Sequence, residues 1–569
     1  MSISQDPSTE LRTRRTDTVL CLALVVVLGG LYGLCQNGQW APGGSDDAFY
    51  LDIARNLLHS GEYEANGIPV VIIPPGWPVV LAGAMKISDS FVLLNLLPMA
   101  FMLGAAGVWY YVLRRLASPR TSFVIMLITG MLFQWERLSF QVFSDGLFCL
   151  LLGVSLLLAL QMSEGRRAGR RIVGLVVLSS LMVMVRWAGV VAWFPVAGAL
   201  LGGQSRPRLN RLWATAVLTG VVVAGTFLGL RFAIRENIET HYQESLNPAE
   251  RASARVALDQ DTRRIGMVLN ARKAVSSTAV LATGNWMITL LWPPAELGAI
   301  SLATRIVICV AGWMLLGVLG ARVWKGIRSL QWVWLGVVLY YFALSFGYRS
   351  QTCRYLVPVA PLLVLGLWEG SMILRGALRQ QGLKRAVLVT ATLLAASVVV
   401  CNLGVFTMTA WVLRSKDFVR EWQAGEYEQM LGVAARLKEV PVADGEIAVN
   451  SSYTNMDHPS SYRHATRMLT LATGRQIQVI PRKVCEGPPT QGLLDWCHEQ
   501  NIRYYVYRPP VNPWRIWHMR VPKLQQWVTG APPGETNPYY VLYRLDDDHF
   551  VEMDLPEVSS GLERVPPVR

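Results

Sequence analysis

The sequence predicts a polytopic α-helical membrane protein, with about 11 transmembrane helices and a C-terminal extracytoplasmic α/β domain. Hydrophobic residues make up 52% of the 569 residues and charged residues only 16%, whereas soluble domains carry about 25% charged residues. Short basic clusters alternate with the apolar segments, as the positive-inside rule requires. This distribution accounts for the net charge of +14, so we expect no nucleic-acid partner.

The apolar segments can be arranged so that every basic cluster lies on one side of the membrane. Segment 172–202 lies between two such clusters, so we divide it at Arg186 into two short spans; a single tilted span would invert the topology that follows. The predicted spans are 18–36, 90–113, 121–134, 146–162, two within 172–202, 213–233, 300–320, 331–347, 356–374 and 387–412.

This topology divides the chain into a transmembrane domain, 1–412, and a soluble domain, 413–569, that lies outside a plasma (inner) membrane. The soluble part contains four strand-like runs, at 446–449, 476–480, 502–507 and 539–543. Its two cysteines, Cys485 and Cys497, are close in sequence. They either form a disulfide or remain two thiols.

The loop after the first span begins with two adjacent carboxylates, Asp46 and Asp47. Apolar or aromatic residues follow at positions 50, 53, 54, 57 and 58, which is the spacing of an amphipathic helix lying along the membrane surface. Residues 76–87 are apolar but too short to cross the membrane, so they predict a second interfacial helix. Carboxylates at a helix start are favourable as caps, so the pair has a structural interpretation beside a chemical one.

The order of residues in this loop resembles a known family. The elements are Asp46-Asp47, Tyr50, Ala54-Arg55, Gly61-Glu62-Tyr63 and Pro74-Pro75-Gly76-Trp77-Pro78, all within 33 residues. They are similar to the first external loop of polyprenyl-phosphate-sugar-dependent glycosyltransferases of the C-type membrane fold, the bacterial relatives of protein O-mannosyltransferases and of the lipid A aminoarabinose transferase. That aminoarabinose transferase carries Glu-Lys before its proline, where this chain has Ile72-Ile73, so the resemblance does not identify the sugar.

The resemblance implies an inverting transfer of a sugar from a polyprenyl-phosphate donor to an extracytoplasmic lipid, glycan or protein. It assigns Asp46 as the general base and Asp47 as a second acid that tunes Asp46 or helps to hold a divalent metal; the sequence itself requires no metal. Asp145, at the mouth of the fourth span, is a second acid of the site or a helix N-cap. The remaining motif residues would line the donor and acceptor groove: Tyr50, Arg55, Pro75 and Trp77.

The donor phosphate needs cations, and an external arginine requires an explanation because the positive-inside rule does not supply one. A guanidinium group matches phosphate oxygens in a bidentate way. The first candidate is Arg354, because Arg354-Tyr355 with Pro358 and Pro361 resembles a run found at this point in relatives. The other candidates are Arg349, Arg186 and Arg137.

Two other functions are compatible with a chain of this kind. A transporter or flippase of a lipid-linked substrate is the main alternative, although the sequence shows no internal repeat and no chain of charges at mid-membrane. A non-catalytic scaffold with an external binding domain is the third interpretation.

Overall fold

The structure is a computed structural model, and it describes residues 7–42, 46–70, 73–163, 168–201, 333, 335–337, 339–340, 353–450, 464–480, 490–508, 540–547 and 549–567. The predicted spans 213–233 and 300–320, the loop 235–295, Arg349 and Cys485 lie outside these residues. The pairing of Cys485 with Cys497 therefore stays a prediction.

Helices that are long and apolar enough to cross a membrane make this chain a polytopic membrane protein. Within the described ranges there are four of them: Arg15–Leu34, Phe91–Arg114, Asp145–Met162 and Arg354–Ile373. Gly76–Met85 and Gly189–Leu201 are shorter apolar helices. The count of about 11 spans and the division at residue 412 remain predictions.

The helices of the first 201 residues follow one another with short connections. They are α1 (Pro7–Leu34), α2 (Asp46–His59), α3 (Gly76–Met85), α4 (Phe91–Arg114), α5 (Pro119–Gly130), α6 (Phe133–Arg137), α7 (Asp145–Ser163), α8 (Ala168–Val185) and α9 (Gly189–Leu201). Serine side chains cap two of them: Ser90 accepts a hydrogen bond from the amide of Val92, and Ser118 accepts one from the amide of Thr121. The amphipathic helix predicted after the first span is α2, and the second interfacial helix is α3.

A helix break lies at the predicted place in segment 172–202, because α8 ends at Val185 and α9 begins at Gly189; that each of these helices crosses the membrane stays a prediction. The amide of Gly189 donates to the carbonyl of Arg186 across the turn, at 2.8 Å. A Cβ atom at Gly189 would lie 2.6 Å from the backbone of Met182, so a side chain there would collide with the preceding helix. This turn fixes Arg186 between the two helices.

The chain continues with a 3₁₀ helix, Cys353–Val359, that leads directly into α10 (Ala360–Ala377). The later helices are α11 (Gln381–Arg414), α12 (Phe418–Glu421), α13 (Glu426–Glu439), α14 (His464–Thr473) and α15 (Gln491–Glu499). Of the strands, β1 (Glu64–Ala65) and β2 (Ile68–Pro69) form a small antiparallel pair after α2. The others are β3 (Ile447–Asn450), β4 (Ile477–Ile480), β5 (Tyr504–Tyr507), β6 (Val541–Asp546) and β7 (His549–Met553).

These last five strands form one mixed sheet in the order β4-β3-β5-β6-β7. Strand β3 is parallel to β4 and β5, whereas β6 is antiparallel to both β5 and β7. The strand-like runs of the sequence correspond to β3 to β6, and β7 was not among them. Alternate side chains reach opposite faces: Ile447 and Val449 join the large core that includes the transmembrane helices, and Ala448 packs with Leu493 of α15.

The end of the chain joins the C-terminal region to the loops near the membrane. The backbone of Leu562 accepts a hydrogen bond from Trp40 at 2.8 Å, and Glu563 accepts one from Phe91 at 2.8 Å. The amide of Val565 donates to Asp89 at 3.0 Å. Together with Tyr427, whose hydroxyl donates to the carbonyl of Trp40, these bonds hold the sheet region against the first loop.

Candidate functional site

Two of the predicted acids begin helices that meet at one end of the bundle. Asp46 is the first residue of α2 and Asp145 is the first residue of α7. The unpaired amides of a helix N-terminus and its dipole stabilise a carboxylate in the first turn. The Asp145 side chain is 1% exposed, whereas that of Asp46 is 46% exposed. The starts of α2 and α7 therefore carry one accessible carboxylate, that of Asp46, and one buried carboxylate, that of Asp145.

Arg354 lies between these two carboxylates. Its Nε donates to Asp145 Oδ2 at 2.8 Å, and its Nη1 donates to Asp46 Oδ2 at 3.0 Å. The two carboxylates that share this guanidinium group lie 209 and 308 positions before Arg354 in the sequence. The structure therefore brings these three predicted site residues together. Their mutual contact also places the starts of α2, α7 and the 3₁₀ helix at the same end of the helix bundle.

Arg186 is the second arginine that pairs with the buried Asp145. It forms an ion pair with Asp145 Oδ1, and its Nη1 lies 3.4 Å from Ser144 Oγ. Asp145 therefore has a guanidinium group on each carboxylate oxygen. A carboxylate so deeply buried requires such partners, because an unpaired charge away from water is very unfavourable.

Aromatic side chains cover the guanidinium groups. Arg354 lies 4.0 Å from the ring centroid of Phe143, and Arg186 lies 5.1 Å from that of Tyr355. The hydroxyl of Tyr50 lies 3.5 Å from Ser144 Oγ. Stacking of this kind holds an arginine in place while its N–H groups remain directed at an anion.

Arg467, which the sequence analysis did not single out, reaches the same site from α14. Its Nη1 lies 3.5 Å from Asp46 Oδ1, and its guanidinium carbon lies 3.9 Å from the ring centroid of Phe49. The contact spans 421 positions of sequence. The local sequence shows only that Arg467 precedes two apolar residues, Met468 and Leu469, and this pattern does not identify a partner.

Asp46 is ionised in this arrangement. Burial opposes its charge, but the positive charges of Arg354 and Arg467 outweigh that effect and hold the pKa of Asp46 below its usual value. The three arginines and two carboxylates of this cluster sum to one positive charge. The arginine cluster, defined as Asp46, Asp145, Arg186, Arg354 and Arg467, therefore favours one additional anion.

Asp47 and Arg55 contact residues outside the arginine cluster. Asp47 is fully buried, and its carboxylate accepts from Trp40 Nε1 at 2.9 Å and from the amide of Ala48 at 2.9 Å. Arg55 forms an ion pair with Asp52 and donates to the carbonyl of Pro566 at 3.1 Å. The contacts of both side chains are structural in kind.

The remaining candidates lie around Phe143 and α3. Arg137 donates to Gln141 at 2.6 Å and lies 5.9 Å from the Phe143 centroid, so it shares that ring with Arg354. Trp77 is fully buried and donates to the carbonyl of Val142 at 3.3 Å. Pro75 precedes α3 and is partly exposed. These contacts support the loop that carries Phe143.

The carboxylates of the cluster do not fit a divalent cation. Asp46 and Asp145 each face two guanidinium groups, whose charge would repel a metal ion. In the part of the chain that the structure describes, no group of three or more histidine, cysteine, aspartate or glutamate side chains is arranged to hold a metal.

No protein-family model matches the sequence, and no curated protein matches it. Among solved structures, the fold is similar to the archaeal oligosaccharyltransferase AglB from Archaeoglobus fulgidus, in complex with an inhibitory peptide and a dolichol-phosphate. The TM-score is 0.47 and the identity 12%, over 94% of this chain and 75% of that one. The fold is also similar to ArnT from Cupriavidus metallidurans in the apo state, with a TM-score of 0.47 and 12% identity over 92% of this chain and 97% of that one.

A second structure of ArnT, bound to undecaprenyl phosphate, has a TM-score of 0.43 and 13% identity, over 86% of this chain and 93% of that one. Because the TM-scores are below 0.5, the chemistry of this chain has to be inferred from its own contacts.

Proposed function

We propose that this chain is an integral-membrane glycosyltransferase that moves a sugar from a polyprenyl-phosphate donor to a hydroxyl-bearing acceptor outside a plasma (inner) membrane, with inversion at the anomeric carbon. The acceptor is a lipid, a glycan or a protein. The observation that carries the proposal is the position of Arg354, which holds an accessible carboxylate and a buried one at the same time.

An enzyme of this class has to bind a phosphate and deprotonate a hydroxyl group within a few ångströms of each other. Arg354 supplies the cation, and Asp46 is the adjacent carboxylate with the more accessible side chain. Asp145 is almost fully buried and paired on both oxygens, so its role is to hold Arg354 and Arg186 in place. The assignments of Asp46 and Arg354 agree with those that the resemblance implies.

The transfer step follows from these positions. The acceptor oxygen attacks the anomeric carbon, and the bond between that carbon and the phosphate oxygen breaks with its electron pair remaining on the phosphate. The acceptor proton passes to the Asp46 carboxylate. Polyprenyl phosphate leaves with more negative charge than the donor had, and the arginines stabilise this developing charge.

Donor binding also prepares the base. In the structure Asp46 is held by arginines, which keep its pKa low and make it a weak base. A donor phosphate that takes Arg354 competes with Asp46 for the same N–H groups. Asp46 then loses part of its positive surroundings, so its pKa rises when the donor is in place. Deprotonation of the acceptor is thereby coupled to the presence of the donor.

The test uses the full chain in proteoliposomes with a polyprenyl-phosphate-linked sugar and a hydroxyl acceptor. The proposal predicts release of polyprenyl phosphate and a product whose anomeric configuration is opposite to that of the donor. Movement of the lipid-linked sugar across the bilayer with its phosphate bond intact would instead identify a flippase. Neither transfer nor movement, across a panel of donors, would favour the scaffold.

A further inference from the structure

We propose that Arg467, carried into the site by the C-terminal region, is a second ligand of the donor phosphate. This inference rests on the proposed function and extends it, because it makes the transmembrane part incomplete without α14. The phosphate would bridge Arg354 and Arg467 in the place where the Asp46 carboxylate bridges them in this structure.

The first argument is the geometry around Asp46. Arg354 contacts one of its carboxylate oxygens, at 3.0 Å, and Arg467 contacts the other, at 3.5 Å. The two guanidinium groups are therefore spaced for a small anion with two adjacent oxygens. Phosphate offers the same arrangement, since the guanidinium fork matches carboxylate and phosphate alike.

The second argument is charge. The arginine cluster carries one net positive charge, which a donor phosphodiester with one negative charge neutralises. When the sugar leaves, the phosphate becomes a monoester with a charge of about −1.5 to −2 at neutral pH. A second arginine in contact with it gains interaction energy as that charge develops, and such an interaction accelerates the step instead of only tightening substrate binding.

The third argument is that Asn66 of the first loop binds both α14, which carries Arg467, and the strand β4 that follows it. Asn66 accepts from the amide of Ile477 at 2.7 Å and donates to the carbonyl of the same residue at 2.7 Å. Thr470, one turn along α14 from Arg467, donates to the Asn66 side chain at 3.0 Å. The amide of Asn66 in turn donates to Asp52 of α2 at 2.8 Å. The helices that carry Asp46 and Arg467 are thus linked through one asparagine.

The test measures binding to the full chain in detergent, with farnesyl phosphate as the probe and farnesol as the uncharged comparison. We expect Arg467→Ala to weaken binding of farnesyl phosphate by about 10- to 100-fold, the usual size of a hydrogen bond to a charged group, with binding of farnesol unchanged. Inorganic phosphate, tested in parallel, separates recognition of the phosphate from recognition of the lipid. The matched control is Arg436→Ala, because Arg436 lies on the surface of α13 and pairs with Glu439.

Arg467 has a second possible role, which is only to neutralise Asp46, and a double variant separates the two. In an Asp46→Asn background there is no charge left to neutralise. The loss caused by Arg467→Ala persists there if the guanidinium contacts phosphate, and disappears if Arg467 acts through Asp46 alone. The second result would overturn the inference.

A further variant covers the case in which Arg467→Ala disturbs folding. Asn66 has a φ of 54°, which glycine also accepts, so Asn66→Gly removes the side-chain link and keeps the backbone conformation. This variant should weaken farnesyl phosphate binding in the same direction, with the thermal unfolding temperature recorded for both proteins. Loss of binding in Arg354→Ala but not in Arg467→Ala or Asn66→Gly would overturn the inference and leave the proposed function intact. Equal affinity of the wild-type chain for farnesyl phosphate and farnesol would overturn both.

Discussion

Helix α2 carries two aspartates, Asp46 and Asp52, that both pair with arginine but differ in exposure and in the origin of their partners. At its first residue, Asp46 is 46% exposed and pairs with Arg354 and Arg467, which come from distant parts of the chain. Less than two turns later, Asp52 is 3% exposed and pairs with Arg55 of the same helix. The first pair is open to solvent and to a competing anion. The second is closed against the end of the chain, where Arg55 also binds the carbonyl of Pro566.

The two aspartates also respond to their surroundings in opposite directions. Burial raises the pKa of Asp52, and the charge of Arg55 and the amide of Asn66 reduce this effect without cancelling it. For Asp46 burial acts in the same direction, but two arginines outweigh it and the pKa is lowered. An acid–arginine pair is therefore not a functional signal by itself. Exposure and the possibility of exchanging the partner distinguish a reactive pair from a structural one.

The largest expected effect is on turnover in Asp46→Asn. A general base contributes roughly 10²- to 10⁴-fold to the rate, or about 3–5 kcal/mol of transition-state stabilisation. Asparagine is as good a helix cap as aspartate, so the thermal unfolding temperature should stay near that of the wild type. Rates of sugar transfer per folded molecule check this. A nearly normal rate would remove Asp46 as the base, and Asp47 could not replace it, because Trp40 and the amide of Ala48 occupy its carboxylate.

Asp145→Asn should reduce stability and turnover together. It leaves Arg186, only 9% exposed, without its carboxylate partner, and breaking a buried pair in this way costs about 3–5 kcal/mol. Arg354 also loses the contact that holds it, so farnesyl phosphate should bind more weakly. Denaturant titration and the same binding assay measure both losses. Unchanged stability would show that Asp145 is not the structural centre of the cluster.

Arg55→Gln should affect stability alone. Removing the guanidinium group leaves the Asp52 carboxylate buried without a counter-charge, at a cost of about 3–5 kcal/mol. The double variant Asp52→Asn with Arg55→Gln should recover part of that loss, because no unpaired charge remains. Turnover per folded molecule should stay near the wild-type value in both proteins. A large fall in turnover without a fall in stability would contradict the structural role of this pair.

The smallest expected effects concern the pH dependence of stability, and the two aspartates give opposite signs. Asp52 binds its proton more tightly in the folded state, so the stability it contributes falls as pH rises from its ordinary pKa, about 3.9, through its raised value. Asp46 binds its proton more weakly in the folded state, so its contribution is lost as pH falls from about 3.9 through its lowered value. Unfolding curves of Asp46→Asn and Asp52→Asn across this range should therefore diverge from the wild type in opposite directions.

Much of the membrane-side architecture could be predicted from the sequence, because hydrophobic periodicity and charge placement are local signals. The break at Arg186 followed from two basic clusters separated by too few residues for anything but one long or two short spans. Asp145 was chosen as an ionisable residue at the mouth of an apolar segment, and Arg354 because its run with Tyr355, Pro358 and Pro361 resembles one found in relatives. The structure brings both of them to Asp46.

From the sequence, both Asp46 and Asp47 were placed in the site, although helix geometry separates their side chains. Neighbouring residues of a helix point about 100° apart, so an adjacent pair cannot share one partner group. The spacing of Asp52 and Arg55 likewise predicts a pair on one helix face, which the groove assignment of Arg55 overlooked. Arg467 is a different case. A contact across 421 positions depends on how α14 docks onto the first loop through Asn66, and a single sequence has no local pattern that reports such docking.

The central claim is that the donor phosphate takes the arginines from Asp46 and so turns a weakly basic carboxylate into the base. The pH dependence of the rate tests this directly, since kcat/KM reports the pKa of the free enzyme and kcat reports that of the donor complex. In the wild-type enzyme, we expect the fall in rate at acidic pH to occur at higher pH for the chemical step at saturating donor than for kcat/KM. In Asp46→Asn, we expect this acid limb to be absent from both pH–rate profiles. Acid limbs at the same pH, or a limb that persists in Asp46→Asn, would contradict the exchange of partners at Asp46.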